Sequence, residues 1–214
     1  MSRYAPSREL VVDICRTLLD RGYLKATEGN VSVRVPGEAT FAITPSSYDY
    51  AKMEPGDICV LDLDGRQFLG DMKASIEAGM HAAVYAQRAD VSVIIHTHQA
   101  YASALALVER PIPALFDEQV MNLGEVIEVV RYGVSGSVDL LENVSARLGN
   151  SANAYILQNH GALVLGATIE DAARNVELLE KCARVYLTAL TTGRYSFTPL
   201  LSSFSSISLT SRIG

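Results

Sequence analysis

The 214-residue sequence has no tryptophan, few cysteines and no cluster of basic residues. Its three cysteines, Cys15, Cys59 and Cys182, lie far apart, so the sequence contains neither a disulfide framework nor a CxxC metal motif. Sparse, unpaired cysteines are typical of proteins from reducing compartments. We therefore expect a cytoplasmic protein.

Segments that address a chain to a membrane are also missing. The sequence has no apolar run of about 18 residues, and the N-terminal stretch MSRYAPSREL lacks the apolar centre of a signal peptide. The net charge is −6 and the basic residues are scattered, whereas binding to a nucleic-acid backbone needs concentrated positive charge. Neither a membrane nor a nucleic acid is expected as a partner.

The composition is that of one folded domain. Hydrophobic residues make up 49% of the chain and charged residues 20%, and this length suits a single core better than two small ones. We predict one domain over residues 1–199 and a Ser-rich, loosely attached tail over 200–214. A mean hydropathy of +0.16 indicates additional buried surface, including subunit contacts.

The spacing of apolar residues predicts a mixture of helices and strands. Helices are predicted over 7–21, 75–88, 99–108 and 168–192, and strands over 31–35, 40–44, 58–65, 91–95, 154–157 and 162–166. A Pro-Gly turn at 36–39 joins the first two strands into a hairpin. Because strands and helices do not alternate strictly, the pattern favours a sheet with antiparallel content and helices on its faces.

Two of the four histidines stand together at the end of an apolar strand. His96 and His98 are separated by one residue, and residues at that spacing in a strand point to the same face. Both imidazoles can therefore reach one metal ion. Taken alone, the pair is also compatible with two hydrogen-bonded or solvated histidines.

A third histidine lies between two other apolar strands. His160 belongs to the segment Gln-Asn-His-Gly, in which Gly161 allows an unusual backbone conformation. Three histidines and a water are the composition of an open catalytic metal site, whereas structural zinc sites are usually closed by four cysteine or histidine ligands. His81, on a predicted helix, is interpreted as a packed or capping residue outside the metal shell.

Several short motifs follow one another at characteristic spacing. They are Gly29-Asn30-Val31-Ser32, Thr44-Pro45-Ser46-Ser47, Lys73-Ala74-Ser75-Ile76-Glu77 followed by His81, His96-Thr97-His98, and Asn159-His160-Gly161. Through these motifs, roughly residues 7–193 resemble the class II aldolase and adducin head family, which includes the fuculose-1-phosphate aldolases. The resemblance implies a three-layer α/β/α fold with a central, largely antiparallel sheet.

The resemblance also implies a metal site and a catalytic group. His96, His98 and His160 would hold one divalent ion, and Glu77 would lie beside it as the general acid/base. Histidine ligands suit zinc, and also manganese, iron or cobalt. We expect Zn²⁺ first and Mn²⁺ as the main alternative.

Further residues are assigned by the same resemblance. Asn30, Ser46, Ser47 and Ser75 would line the pocket for the substrate's phosphate or other polar head. Tyr132 would donate a proton from the neighbouring subunit, in a homotetramer whose active sites lie between subunits. Taken alone, the Gly-Asn and Ser-rich segments are more typical of ordinary turns, and Tyr132 of a packed aromatic residue.

The activity that follows is that of a metal-dependent aldolase. Such an enzyme forms or cleaves a carbon–carbon bond in a small sugar or sugar phosphate through a metal-stabilised enediolate. A decarboxylase, an epimerase or a dehydratase on a small hydroxy acid, keto acid or sugar phosphate would use the same site. A non-catalytic, adducin-like scaffold is a further alternative, and the complete histidine set argues against it.

The sequence departs from the family pattern at two places. Ile76 stands where a second serine is usual, which predicts fewer contacts to a phosphate or a substrate without one. The chain also has no tyrosine after Tyr195, whereas fuculose-phosphate aldolases bring one over the active site from near the C-terminus.

Overall fold

A computed structural model describes residues 3–193, and the tail predicted over 200–214 lies outside this part of the chain. The described residues form one eight-stranded sheet in the order β4-β3-β2-β1-β5-β8-β7-β6. The strands are β1 (Asn30–Arg34), β2 (Thr40–Ile43), β3 (Cys59–Asp62), β4 (Gln67–Leu69), β5 (Val93–Thr97), β6 (Glu128–Val130), β7 (Ala154–Leu157) and β8 (Gly161–Gly166). The helices are α1 (Ala5–Asp20), α2 (Ala78–Gln87), α3 (Ala100–Leu107), α4 (Asp117–Asn122), α5 (Val138–Ser145) and α6 (Ile169–Thr191).

The sheet is largely antiparallel, as expected. Among the strands listed above, β6 pairs with β7 in parallel, and every other pairing is antiparallel. β5 lies between β1 and β8 and has all five residues buried. A strand buried on both faces positions its side chains rigidly, so a group at its end is held in a fixed place.

Helices cover both faces of the sheet and complete the three-layer architecture. Neighbouring β5 residues show the division, because Ile95 packs into one apolar core and Ile94 into another. The first core contains residues of α1, α3 and α6, and the second contains residues of α2 and α5. Because side chains alternate along a strand, His96 lies on the face of Ile94, which α2 covers.

Two predicted boundaries shift in a way that matters for function. The helix predicted over 75–88 begins only at Ala78, so Ser75 and Glu77 belong to the loop before α2. The strand predicted over 91–95 extends over 93–97 and includes His96, because pairing with β1 and β8 continues to that level. Apolar periodicity cannot detect this extension, since the added residues are polar and are held by the neighbouring strands.

Four elements have no counterpart in the sequence prediction: β4, β6, α4 and α5. They are three to eight residues long, too short to establish a period. The remaining predictions are confirmed at element level, including the long helix α6 with Thr168 accepting a capping hydrogen bond from the Asp171 backbone. Within residues 3–193, no helix combines the length and apolar character needed to span a bilayer.

Candidate metal centre

Three imidazoles meet at one end of the sheet. His96 is the last residue but one of the buried strand β5, His98 lies one residue beyond the strand, and His160 occupies the short turn between β7 and β8. The ring centroids are 4.6–5.1 Å apart, and each ring offers a nitrogen within 4.8 Å of the other two. Residues 62 positions apart in sequence therefore share one small volume.

The turn that carries His160 is fixed by its backbone. Asn159 adopts a left-handed conformation with φ 53°, which asparagine tolerates better than most residues. The His160 N–H donates to the Leu157 carbonyl at 3.1 Å. At Gly161 an added Cβ would lie 2.4 Å from the Thr97 carbonyl oxygen and 2.9 Å from His98 Cδ2. Glycine is therefore required here because the two strands approach too closely for any side chain.

The orientation of His96 leaves one ring nitrogen free for a ligand. Its Nδ1 lies 2.9 Å from the Ala162 carbonyl oxygen, an acceptor, so Nδ1 carries the proton in the neutral ring. Its Nε2 lies 3.1 Å from His98 Nε2, close to the separation of about 3.3 Å between two nitrogens on a tetrahedral ion with bonds of about 2.0 Å. A backbone carbonyl behind a metal-binding histidine is a usual orienting contact.

The protonation state of the cluster suits a cation. Burial lowers the pKa of His96 to about 4, and burial also lowers the pKa of His160. Both rings are therefore neutral at pH 7 and present lone pairs. Three histidine ligands are the protein donor set of an open, zinc-type catalytic site.

Glu77 faces the same point from the loop before α2. Its two carboxylate oxygens lie 3.3 Å from His96 Nε2 and 3.4 Å from His160 Nε2, and its Oε2 accepts a hydrogen bond of 2.7 Å from Asn30 Nδ2. Its Oε1 is buried and has no hydrogen-bond partner among the described residues. A buried carboxylate oxygen without a hydrogen-bond donor is stabilised by a nearby cation. The arrangement of Glu77 and the imidazoles therefore fits a bound metal ion.

The charge of Glu77 is set by two opposing effects. Burial disfavours the ionised form and would by itself raise the pKa, but the imidazoles of His96 and His160 and the Asn30 amide outweigh it. The pKa of Glu77 therefore lies below its ordinary value, and the carboxylate is ionised at neutral pH.

A cavity of about 240 Å³ opens beside the imidazoles. The residues that line it include Asn30, Ser46, Ser47, Ser75, Glu77, His98 and His160. The residues assigned to substrate binding therefore share one cavity with two of the three assigned to the metal, and the third, His96, is buried behind it. Two larger clefts of about 570 Å³ each lie elsewhere, and neither is lined by a histidine or by Glu77. We place the functional site in the smaller cavity because the titratable groups converge there.

The loops that carry the cavity's hydroxyl groups are tied to each other. The Ser46 N–H donates to the Lys73 carbonyl at 2.8 Å, and the Ser75 N–H donates to the Thr44 carbonyl at 3.1 Å. Ser47 has a φ of 55°, a conformation that is uncommon outside glycine and is often found at functional sites. The two serine-bearing loops thus form one wall, although they are about thirty residues apart in the sequence.

Comparison with known proteins agrees with this geometry. The family model described as Class II Aldolase and Adducin N-terminal domain matches residues 9–187. This chain belongs to the class II aldolase and adducin family. A curated relative from Methanococcus maripaludis, L-fuculose phosphate aldolase, is 34% identical over 81% of this chain and 92% of its own length.

A second relative and a solved structure show that this family includes enzymes with different reactions. The 3-oxo-tetronate 4-phosphate decarboxylase of Haemophilus influenzae is 33% identical over 85% of this chain and 87% of its own. The solved structure of an L-fuculose 1-phosphate aldolase superposes with a TM-score of 0.87 at 30% identity, covering 92% of both chains. Family and fold are shared by enzymes that differ in the reaction they catalyse.

Two residues that the sequence motifs do not contain also line the cavity of this family member. Ser135 lines the cavity, and its hydroxyl lies 3.3 Å from His160 Nε2. Glu28 lines it from another side, with a carboxylate oxygen 4.0 Å from His98 Nδ1. Neither could be found from the sequence, because the chain segments that carry them meet the histidines only in the folded protein.

Two residues singled out from the sequence lie apart from the imidazole cluster. Tyr132 is 49% exposed and is not among the residues that line the cavity of its own chain, so its role across a subunit boundary stays a prediction. His81 is fully buried on α2, with Nδ1 2.7 Å from the Ser32 hydroxyl. His81 does not belong to the cluster that can hold a metal ion. This agrees with its interpretation from the sequence as a packed residue.

Proposed function

We propose that this class II aldolase family member is a divalent-metal-dependent lyase that cleaves a carbon–carbon bond in a small sugar or sugar-phosphate ketose. The observation that carries the proposal is the meeting of His96, His98 and His160 around one point, with the Glu77 carboxylate beside it. The enzyme works in the reverse, bond-forming direction with the same groups.

The three imidazoles would hold the ion, with Zn²⁺ the first expectation and Mn²⁺ the main alternative. When bound, such an ion supplies a Lewis acid that withdraws electron density from a carbonyl oxygen. The chain's own contribution is to fix the imidazoles rigidly, through the sheet at His96 and the turn at His160. The tight turn at Gly161 keeps them at the required separation.

Glu77 is the proposed general acid/base. Its carboxylate is ionised, buried and held by Asn30 Nδ2 at 2.7 Å, so it can take a proton from the carbon next to a carbonyl and return it. Ser46, Ser47 and Ser75 would orient the far end of the substrate through their hydroxyl groups. Asn30 lines the same cavity and also orients the Glu77 carboxylate through its hydrogen bond.

The proton at the leaving oxygen needs a second donor. We assign it to Tyr132 of a neighbouring subunit, in a homotetramer whose sites lie between subunits. Its exposure of 49% and its position outside the cavity of its own chain support a role across a subunit boundary. A reducing, cytoplasmic setting completes the proposal and is supported by three free, buried cysteines.

Decarboxylation is a second candidate, because one relative with 33% identity is a 3-oxo-tetronate 4-phosphate decarboxylase. Both reactions break a carbon–carbon bond next to a carbonyl and leave an electron pair on carbon. They differ in the fragment released, which is an aldehyde in one case and CO₂ in the other.

The experiment is a turnover assay of the purified protein loaded separately with Zn²⁺, Mn²⁺ and Co²⁺. Ketoses, ketose 1-phosphates and 3-oxo acids are supplied, and aldehyde and CO₂ release are measured in parallel. Aldehyde release supports the aldolase, and CO₂ release alone supports the decarboxylase. A protein that binds no divalent ion and is unaffected by a chelator contradicts both and favours a scaffold.

A further inference from the structure

One wall of the substrate cavity differs chemically from the others. Ile76 lines the cavity and is 55% exposed, although its neighbours Ser75 and Glu77 are 9% and 5% exposed. An aliphatic side chain left open between two buried polar residues adds little to the core. It offers instead an apolar surface to a molecule that enters the cavity.

The position of Ile76 is fixed by the loop that follows β6. At Gly136, which has a φ of +73°, an added Cβ would lie 2.8 Å from the Ile76 carbonyl oxygen and 3.2 Å from its Cβ. Behind this contact is a small void of about 30 Å³ whose lining includes Met80 and Leu140. The backbone of Ile76 therefore packs closely against this loop, while its side chain stays exposed.

Apart from the ion proposed at the imidazoles, the cavity supplies no cationic group to an anionic substrate. Its lining contains no lysine or arginine and two carboxylates, those of Glu28 and Glu77. A phosphate dianion in contact with Ile76 would meet hydroxyl donors from the serines, but no cationic side chain. Ile76 also lacks the hydroxyl donor that a serine at this position would provide. A single hydrogen bond to a charged group changes ligand affinity about ten- to a hundredfold.

The other polar side chains that share this cavity with Ile76 include three neutral hydroxyl groups. They belong to Ser46, Ser47 and Ser75. The cavity thus offers hydroxyl groups together with one apolar contact.

We propose that Ile76 determines substrate choice: the enzyme takes a small polyhydroxylated ketose whose end at Ile76 is uncharged, and Ile76 discriminates against a phosphate there. The inference rests on the proposed function, because it concerns the substrate of that site. It predicts a departure from the relatives named above, whose names specify phosphates.

The test compares binding of glycolate and 2-phosphoglycolate, which differ by one phosphate, to the metal-loaded protein by calorimetry. For the unchanged protein we expect glycolate to bind at least as tightly as 2-phosphoglycolate. Ile76→Ser restores a hydroxyl donor, and we expect it to shift the ratio of the two Kd values about tenfold or more towards 2-phosphoglycolate. Ile76→Val is the matched control and should leave the ratio within about twofold.

Turnover is measured on the same three proteins with a ketose and its 1-phosphate. If the unchanged protein binds 2-phosphoglycolate much more tightly, or if Ile76→Ser leaves the ratio of Kd values unchanged, the inference is wrong even when turnover is observed. If the binding ratio shifts as expected but no protein cleaves either ketose, the proposed function is wrong while the selection by Ile76 stands. Thermal unfolding of each variant checks that the exposed site tolerates the change.

Discussion

Asn30 Nδ2 donates a hydrogen bond of 2.7 Å to Glu77 Oε2, and both side chains are buried. Asn30 is the first residue of β1 and is paired in register with His96 of β5. The residue that orients the carboxylate thus lies on the strand next to the one that carries His96, a proposed metal ligand. This relationship gives Asn30 a role beyond the substrate contact that the sequence motif suggested.

Replacing Asn30 by alanine should therefore impair catalysis more than metal binding. A hydrogen bond to a charged group contributes about 1.5–3 kcal/mol, so kcat is expected to fall about ten- to a hundredfold. Metal affinity should change less than fivefold, because the imidazoles remain in place. Steady-state kinetics and metal titration measure the two effects. Equal losses of kcat and of metal affinity would contradict the proposal that Asn30 acts by orienting Glu77.

Glu77→Gln should keep the metal and lose the reaction. The amide preserves the shape of the side chain but cannot take a proton, and general acid/base groups contribute about 10²–10⁴-fold in rate. The matched control is Glu28→Gln, a second carboxylate on the cavity wall that lies 4.0 Å from His98. We expect its kcat to stay within about threefold of the unchanged protein. Similar activities of the two variants would show that Glu77 is not the proton carrier.

Removal of single imidazoles should abolish stoichiometric metal binding. His98→Ala and His160→Ala each leave two histidine ligands, and the metal content after dialysis against buffer is expected to fall at least tenfold. His81→Gln is the control, since His81 is a histidine outside the cluster. Elemental analysis of the purified proteins provides the measurement. A full equivalent of metal in His160→Ala would place the ion elsewhere.

Gly161→Ala should distort the centre without removing any ligand. The added Cβ would lie 2.4 Å from the Thr97 carbonyl oxygen and 2.9 Å from the His98 ring, so β5 and β8 must separate. Overpacking of this kind costs about 1–3 kcal/mol, and metal affinity should fall at least tenfold. Gly149→Ala is the control, because a Cβ there meets nothing within 4 Å. Unfolding by urea and metal titration report the two effects, and a Gly161→Ala protein with normal affinity would refute the explanation.

The stability of the metal-free protein should depend on pH through its buried histidines. Burial lowers the pKa of His81 to about 3 and that of His96 to about 4, whereas a histidine in the unfolded chain titrates near about 6.5. The unfolded state therefore takes up protons first as the pH falls, and the folded state loses stability below about pH 6.5. Above about pH 7 these groups have no effect.

Urea unfolding at pH 7.5, 6 and 5 measures this dependence. For each buried histidine, the free energy of unfolding is expected to fall by up to about 1.4 kcal/mol per pH unit between 6.5 and 5. His81→Gln should reduce that slope, because one group that titrates only on unfolding is gone. An unchanged slope in this variant would show that His81 is accessible to protons in the folded protein.

The sequence by itself determined the elements that have a strong apolar period, the antiparallel character of the sheet and the identity of the three imidazoles. The elements follow from local pattern, because a buried strand such as β5 and a long amphipathic helix such as α6 are encoded by adjacent residues. The set of three imidazoles followed from the order and spacing of the family motifs. The family motifs also named Glu77, which no periodicity would have distinguished from a surface glutamate.

Only the tertiary structure decided how these groups act on one another. Three contacts join segments that are 25 to 64 positions apart: the hydrogen bond from Asn30 to Glu77, the contact of Ser135 with His160, and the close approach of Gly161 to Thr97. Such contacts depend on the register of strands and the path of loops, which are set by the whole core rather than by neighbouring residues. The same holds for Ile76, whose departure from the family pattern was visible in the sequence but whose exposure in the cavity was not.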